Sequence, residues 1–377
     1  MRNIAIILYA KSYGISTFLL YPLNNNYVII VITITGRKKT MIYLKNDYST
    51  GAHPHVLDAL VSTNMENTVG YGLDPYCAEA ADTIKDIINC KNADVHFTMA
   101  GTQTNLTVIS SILRPHEAVI AADTEHICVH EVGAIEATGH KVIHVPTPDG
   151  KLRPADIDKV MAQHCDMHWV RPKMIYIADL TLTGLVYTKA ELTALRQACD
   201  KHDLYLFMDG ARLAMALTQK DNDVTFADLP KICDVFYIGG TKCGLMFGEA
   251  IVIVNDQLKK DFRYIMKQKG AILAKGRLLG VQFKAIFEND LYLELGRHCN
   301  ALADKLVAGL QEKGYQFACK PCSNLVFPIF SNELIDSLQG KVEYDEYEPY
   351  DEKSRSIRLV CSWSTTEEEV DEFLKLV

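Results

Sequence analysis

Two short runs constrain this chain more than any other part of it. Residues 204–208 are almost wholly apolar and lead into Asp209, Gly210, Ala211 and Arg212; residues 235–238 lead into Gly239, Gly240, Thr241, Lys242, Cys243 and Gly244. Runs this short and this apolar read as strands buried on both faces, the pattern of a parallel sheet covered by helices. Open sheets of that kind carry their chemistry just beyond the carboxyl ends of the strands. The chain therefore reads as α/β, with an acid and a lysine delivered to one sheet edge.

The surrounding pattern agrees. Strand-like runs at 118–121, 141–145, 174–178 and 250–254 alternate with helical stretches such as 127–138 and 189–202, which predicts a large domain with a mostly parallel sheet between helices, over 41–290. From 291 a helical stretch, short strands at 325–330 and 357–360, and a closing helix from Thr365 predict a smaller C-terminal α+β domain, 291–377. Residues 1–40 differ from the rest. They hold no Asp or Glu and end in Arg37, Lys38 and Lys39, and no run in them reaches the roughly 18 apolar residues of a membrane span. We expect the true start at Met41, with 1–40 an atypical upstream extension and no clean export signal.

A net charge of -8 argues against a nucleic-acid partner and against a polybasic membrane contact, leaving small molecules. Eleven cysteines, with Cys90, Cys128, Cys199 and Cys233 in presumptive core, favour a reducing compartment and a cytoplasmic protein. Cys319 and Cys322 have C-x-x-C spacing but no second pair, and read as buried or incidental thiols. The cluster His164, Cys165, Asp166 and His168 also lacks a companion, so no metal is expected.

Several residues suit one chemistry. Lys242 follows a buried strand, where burial disfavours the ammonium form, and a partly neutral amine can condense with an aldehyde. Asp209 is either a turn residue or a carboxylate for a ring nitrogen. An acid and a lysine of this kind suit pyridoxal 5'-phosphate. The strand, glycine turn and helix around Gly101, Thr102, Gln103, Thr104 and Asn105 suit a phosphate, with an ordinary helix cap by Thr102 or Thr104 as the plainer reading. Arg212 and Arg358 have forked donors for a substrate carboxylate or a cofactor oxygen. His126 can lie on a cofactor face, His168 suits proton transfer, and His130 with Glu131 reads as helix-internal.

With these features in this order, the chain closely resembles the threonine aldolase and β-eliminating lyase family, over everything from Met41 onward. The most specific pieces are Asp209-Gly210-Ala211-Arg212-Leu213, Gly101 to Asn105, and Gly240-Thr241-Lys242. The resemblance implies pyridoxal-phosphate fold type I, the aspartate-aminotransferase-like fold. It implies Lys242 as the lysine joined to the cofactor, Asp209 at the pyridine nitrogen, Gly101 and Thr102 at the phosphate, and His126 stacked on the ring. Arg212 would serve cofactor and substrate, with Asn46 and Arg358 near the substrate carboxylate. Tyr71 would line the site, in some relatives from the neighbouring subunit, and His168 would meet the substrate hydroxyl. A homodimer or homotetramer with shared sites follows from the same likeness. The chain departs from the family at Leu180 and Leu182, where polar residues are usual.

The implied reaction is retro-aldol cleavage of threonine, allo-threonine or another β-hydroxy-α-amino acid to glycine and an aldehyde. The alternatives are β-elimination, releasing ammonia and a keto acid, and a cofactor-free α/β binding or regulatory protein.

Overall fold

Alternation along Met174, Ile175, Tyr176 and Ile177, all fully buried, sends successive side chains into two different core clusters, as a strand packed on both faces requires. The structure, a computed structural model, describes residues 17–23, 26–32 and 41–377. The chain forms two units, Met1–Met41 and Ile42–Val377. In the first, Thr17–Leu23 and Asn26–Ile32 pair antiparallel as a hairpin; the rest of the expected 1–40 extension lies outside the described residues.

In the second unit a seven-stranded sheet is built from β1 (Asp94–Thr98), β2 (Glu117–Ala122), β3 (Lys141–Val145), β4 (Arg171–Ala178), β5 (Tyr205–Asp209), β6 (Val235–Gly239) and β7 (Glu249–Ile253), in the order β1-β7-β6-β5-β4-β2-β3. β7 runs antiparallel to both neighbours and the other recorded pairs are parallel. This is the expected mostly parallel sheet. Helices α1 (Pro54–Ser62), α2 (Pro75–Ile87), α3 (Gly101–Ile112), α4 (Pro154–Gln163) and α5 (Lys189–His202) cover it. One face buries Ile175, Leu206, Phe236 and Val252 against residues of α1, α2, α4 and α5; the other buries Tyr176, Phe207, Tyr237 and Ile251 against α3.

α6 (Arg277–Phe287) packs against α1 and α2, and α7 (Leu291–Glu312) leads away from it. A second sheet of β8 (Leu325–Val326), β9 (Ile329–Ser331), β10 (Asp345–Pro349) and β11 (Ser354–Val360) is antiparallel around β11. Its core joins Leu306 and Leu310 of α7, Ile357 and Leu359 of β11, and Val370 and Phe373 of α8 (Glu367–Leu376).

The expected helix at 127–138 is a correction. Only His126–Val129 and Glu136–Thr138 are helical, because Val132 (φ 53°) and Gly133 (φ 72°) turn the chain through the left-handed region between them.

Candidate active site

The carboxyl ends of β2, β4, β5 and β6 lie on one edge, and the antiparallel β7 brings its amino end, Glu249, to the same edge. Gly210 is what lets the chain turn there. A Cβ on it would stand 2.0 Å from the Tyr237 carbonyl oxygen.

Asp209 is buried, and its Oδ1 accepts the Ala211 N–H at 2.9 Å. Its Oδ2 accepts from the Tyr176 hydroxyl and from Asn105 Nδ2 at 3.3 Å. Lys242 follows β6 in a turn clasped by Glu249, whose Oε1 accepts the Thr241 hydroxyl at 2.8 Å and whose Oε2 accepts the Gly240 N–H at 3.1 Å. Burial pushes the Glu249 carboxyl up to about 8. Burial and the neighbouring Arg212 charge push the Lys242 amine down, against the pull of Asp47, Asp209 and Glu249.

Arg212 meets a partner the sequence reading missed. Its Nε donates to Asp47 Oδ2 at 2.6 Å and its Nη2 to Oδ1 at 3.0 Å, while Asn324 Nδ2 adds a third bond to Asp47 at 3.3 Å. Burial alone would raise the Asp47 carboxyl, but the Arg212 charge and these bonds hold it below its ordinary value. The expected Arg212 fork for a substrate carboxylate is thus occupied from within the chain.

α3 starts at Gly101 with extended Ala100 before it and no side-chain cap. Thr104 donates back to the Ala100 carbonyl at 3.0 Å and shares a 2.6 Å hydroxyl bond with Thr98. The plain cap reading is therefore not realised, and Gly101 and Thr102 open an uncapped helix turn at the active edge.

His126 stands beyond β2, and its Nδ1 lies 2.7 Å from Glu131 Oε1. Glu131 is buried, against the expectation of a helix-internal residue, because the turn at Val132 and Gly133 reverses the chain just after it. The pKa of His130 is lowered by burial and then by the charges of His126, Arg358, Lys242 and Arg212, so Arg358 from β11 faces the same region. Arg358 Nη2 bonds Asp345 and its buried Nε has no partner.

Three expected residues stand apart. Asn46 spends its side chain on a local turn, accepting from Tyr48 N–H at 3.1 Å and Ser49 Oγ at 2.8 Å. Tyr71 (φ 60°) is exposed, with the Lys267 ammonium 4.6 Å above its ring and its carbonyl accepting from Arg263. His168 lies away from this edge within a single copy of the chain. It is exposed in the loop before β4, eight residues of strand from Asp179, or about 25 Å at the rise of a β-strand. Leu180 packs into the core instead of reaching a ligand. Among the described residues no His, Cys, Asp and Glu cluster has the arrangement of a metal site.

Comparison with known proteins adds to this geometry. The beta-eliminating lyase family model matches residues 44–331. The low specificity L-threonine aldolase of Pseudomonas aeruginosa is 30% identical over 341 residues, covering 89% of this chain and 96% of its own. That of a Pseudomonas species is 31% identical over 332 residues, covering 87% and 94%. Among solved structures, Leishmania major threonine aldolase superposes with a TM-score of 0.88 at 47% identity, covering 89% of this chain and 98% of that one. A Thermus thermophilus aspartate aminotransferase variant, at 16% identity and a TM-score of 0.66 over 89% and 90% of the two chains, shares the fold.

Proposed function

Because this chain belongs to the beta-eliminating lyase family, we propose that it is a pyridoxal-phosphate-dependent aldolase that cleaves threonine or allo-threonine to glycine and acetaldehyde. The observation that carries the reading is the pairing of Lys242 and Asp209 beyond adjacent strands, with the Lys242 amine pushed toward its neutral form. Relatives named as threonine aldolases across nearly the whole chain support it.

The donor set fits the cofactor. An uncapped helix turn at Gly101 and Thr102 suits a phosphate, a buried carboxylate at Asp209 suits the ring nitrogen, and a half-exposed imidazole at His126 suits the ring face. Lys242 would hold the aldehyde carbon, and Arg212 would stand beside it as a fixed positive charge. When bound, the group supplies an electrophilic carbon for amines and a cationic ring that accepts the electron pair of a bond breaking at Cα.

The remaining work falls to the chain. Arg358, with its unpaired buried Nε, binds the substrate carboxylate and orients the Cα substituents. His126 takes the proton from the β-hydroxyl as the Cα–Cβ bond opens. In this role it stands ahead of His168, which lies at the far end of β4. The apolar residues Val61, Met65, Val69 and Leu73, exposed by 74%, 88%, 62% and 64%, support a homodimer or homotetramer, with exposed Tyr71 offered to a neighbouring copy. Eleven free thiols support a cytoplasmic location, and no helix among the described residues is long and apolar enough to cross a membrane.

The test is product analysis from threonine, allo-threonine, serine and cysteine with the purified protein, together with its visible absorbance. Glycine and acetaldehyde in equal amounts are expected, with the yellow colour altered in Lys242→Ala. Ammonia and a keto acid without glycine would reject the aldolase, and colour unchanged in Lys242→Ala would reject the lysine.

A further inference from the structure

Glu131 has no role in the chemistry above, yet the fold goes to some trouble to bury it. The helix His126–Val129 ends after one turn, and Val132 then takes φ 53° with its side chain fully exposed. A β-branched residue in that region is disfavoured, and conformations of this kind persist where the surroundings over-determine them. What the turn accompanies is the return of Glu131 to the Nδ1 edge of the His126 ring, five residues back.

There its Oε1 accepts from Asn105 Nδ2 at 2.7 Å and lies 2.7 Å from His126 Nδ1. The same Asn105 amide reaches Asp209 Oδ2 at 3.3 Å, which also accepts the Tyr176 hydroxyl. A continuous line of polar contacts therefore runs from His126 through Glu131 and Asn105 to Asp209 and Tyr176. The Glu131 side chain is fully buried and that of His126 is 29% exposed, so one end of the line is closed and the other opens outward.

We propose that Glu131 is a positioning residue that holds His126 in the Nδ1–H tautomer, leaving the Nε2 lone pair free as the proton acceptor, and that Asn105 ties this unit to Asp209. The proposal rests on the aldolase reading only for the identity of the proton. In that reading the β-hydroxyl proton passes to Nε2 while the C–O bond becomes the aldehyde carbonyl and the Cα–Cβ pair leaves toward the cofactor ring. The imidazolium so formed carries its Nδ1–H against a carboxylate, which offsets its charge. The other charged groups facing this corner are His130, whose ring centroid lies 5.5 Å from that of His126, and Arg358, Lys242 and Arg212. These groups oppose a second positive charge, and the carboxylates of Glu131 and Asp209 favour one. A carboxylate is the group able to admit one.

The experiment is imidazole 15N NMR of His126 in the purified holoenzyme, alongside threonine cleavage, for the parent, Glu131→Gln and Glu131→Ala. In the parent above the imidazole titration, Nδ1 is expected protonated and Nε2 bare. Glu131→Gln, which keeps an acceptor and loses the charge, is expected to retain that tautomer. Glu131→Ala is expected to shift toward the Nε2–H tautomer that free imidazole side chains favour. Cleavage should fall about tenfold in Glu131→Gln and about a hundredfold in Glu131→Ala, the latter at the lower end of a general acid–base contribution and the former a part of it, with KM changed less than about threefold. An Nε2–H tautomer in the parent, or a tautomer in Glu131→Ala identical to the parent, overturns the proposal. Tautomers that follow the expectation in a protein that releases no glycine from any β-hydroxy amino acid uphold the positioning and overturn the aldolase reading instead. Should Glu131→Ala fail to fold, the Glu131→Gln kinetics decide, and an unchanged kcat there overturns the proposal.

Discussion

Asp47→Asn isolates one buried ion pair. Asp47 and Arg212 are joined by two hydrogen bonds of 2.6 and 3.0 Å, and their side chains are exposed by 0% and 7%. Asparagine keeps the shape and one acceptor but leaves the Arg212 guanidinium buried without its counter-charge. Breaking a buried pair in this way costs about 3–5 kcal/mol, against roughly 0–1 kcal/mol for an exposed one. The melting temperature should fall by about 4–7 °C for a chain of this length, measured on matched holoenzymes at one concentration. The sign of the pH dependence follows from Asp47. Its folded pKa is depressed, so its contribution is complete above the unfolded value near about 3.9 and disappears only as pH falls through the folded one. The gap between parent and variant should be flat from about pH 8 down to about pH 5. Adding Arg212→Met, which removes the orphaned charge, should restore part of the loss. A stability difference under about 1 kcal/mol at neutral pH, or a gap that halves before pH 5, would refute the assignment of Asp47 as the buried, ionised partner.

Other substitutions probe separate parts of the fold. His168→Ala should change kcat/KM by less than about threefold and stability by under about 0.5 kcal/mol, as for a surface site; a loss above tenfold in a steady-state assay would show that its working position is elsewhere than the far edge of its own subunit. Gly210→Ala should abolish soluble, cofactor-loaded protein, since the new Cβ would meet the Tyr237 carbonyl oxygen at 2.0 Å; recovery of wild-type yield and colour would contradict the packing of β5 on β6. Burial pushes Glu125 up to about 8, so the folded state holds its proton where the unfolded chain has released it. The resulting loss of stability accumulates as pH rises from the unfolded value toward 8, by up to about 1.4 kcal/mol per pH unit. Denaturation curves of Glu125→Gln should lack that slope between pH 6 and 8, and parallel curves for the two proteins would count against it.

The features legible in the sequence are those that need no distant partner to be recognised. A run such as Val235, Phe236, Tyr237 and Ile238 is buried whatever it packs against, and the residue that ends it must emerge at a sheet edge. Asp209, Lys242, Gly101 and His126 could all be found in this way. Asp47 could not, because what singles it out is its ion pair with Arg212, 165 residues away. Asn105 likewise reaches across 104 residues to Asp209. Glu131 was within reach of local reasoning: the glycine at 133 is a helix-ending signal, and heeding it would have stopped the helix early and freed Glu131 for a turn. His168 illustrates the opposite limit, since likeness to a family supplies a role without saying at which edge of the sheet, or in which copy, the residue stands.

The edge itself raises a problem of charge. Asp47, Glu125, Glu131, Asp179, Asp209 and Glu249 are all buried there or just behind it, against Arg212, Lys242, Arg358 and Lys151. The six carboxylates outnumber these cations, and the cost of a desolvated charge disfavours ionising all of them. Burial resolves part of the surplus by pushing Glu125 and Glu249 up to about 8 and Asp179 up to about 7, so that near neutrality the two glutamates are largely protonated. Asp47 is balanced by Arg212. Asp209 and Glu131 are instead tied into the polar line, through Asn105, Tyr176 and His126. A phosphate entering at Gly101 would add negative charge to this edge, and a cationic ring facing Asp209 would offset part of it, so a ligand carrying both signs would load this edge less than a phosphate alone.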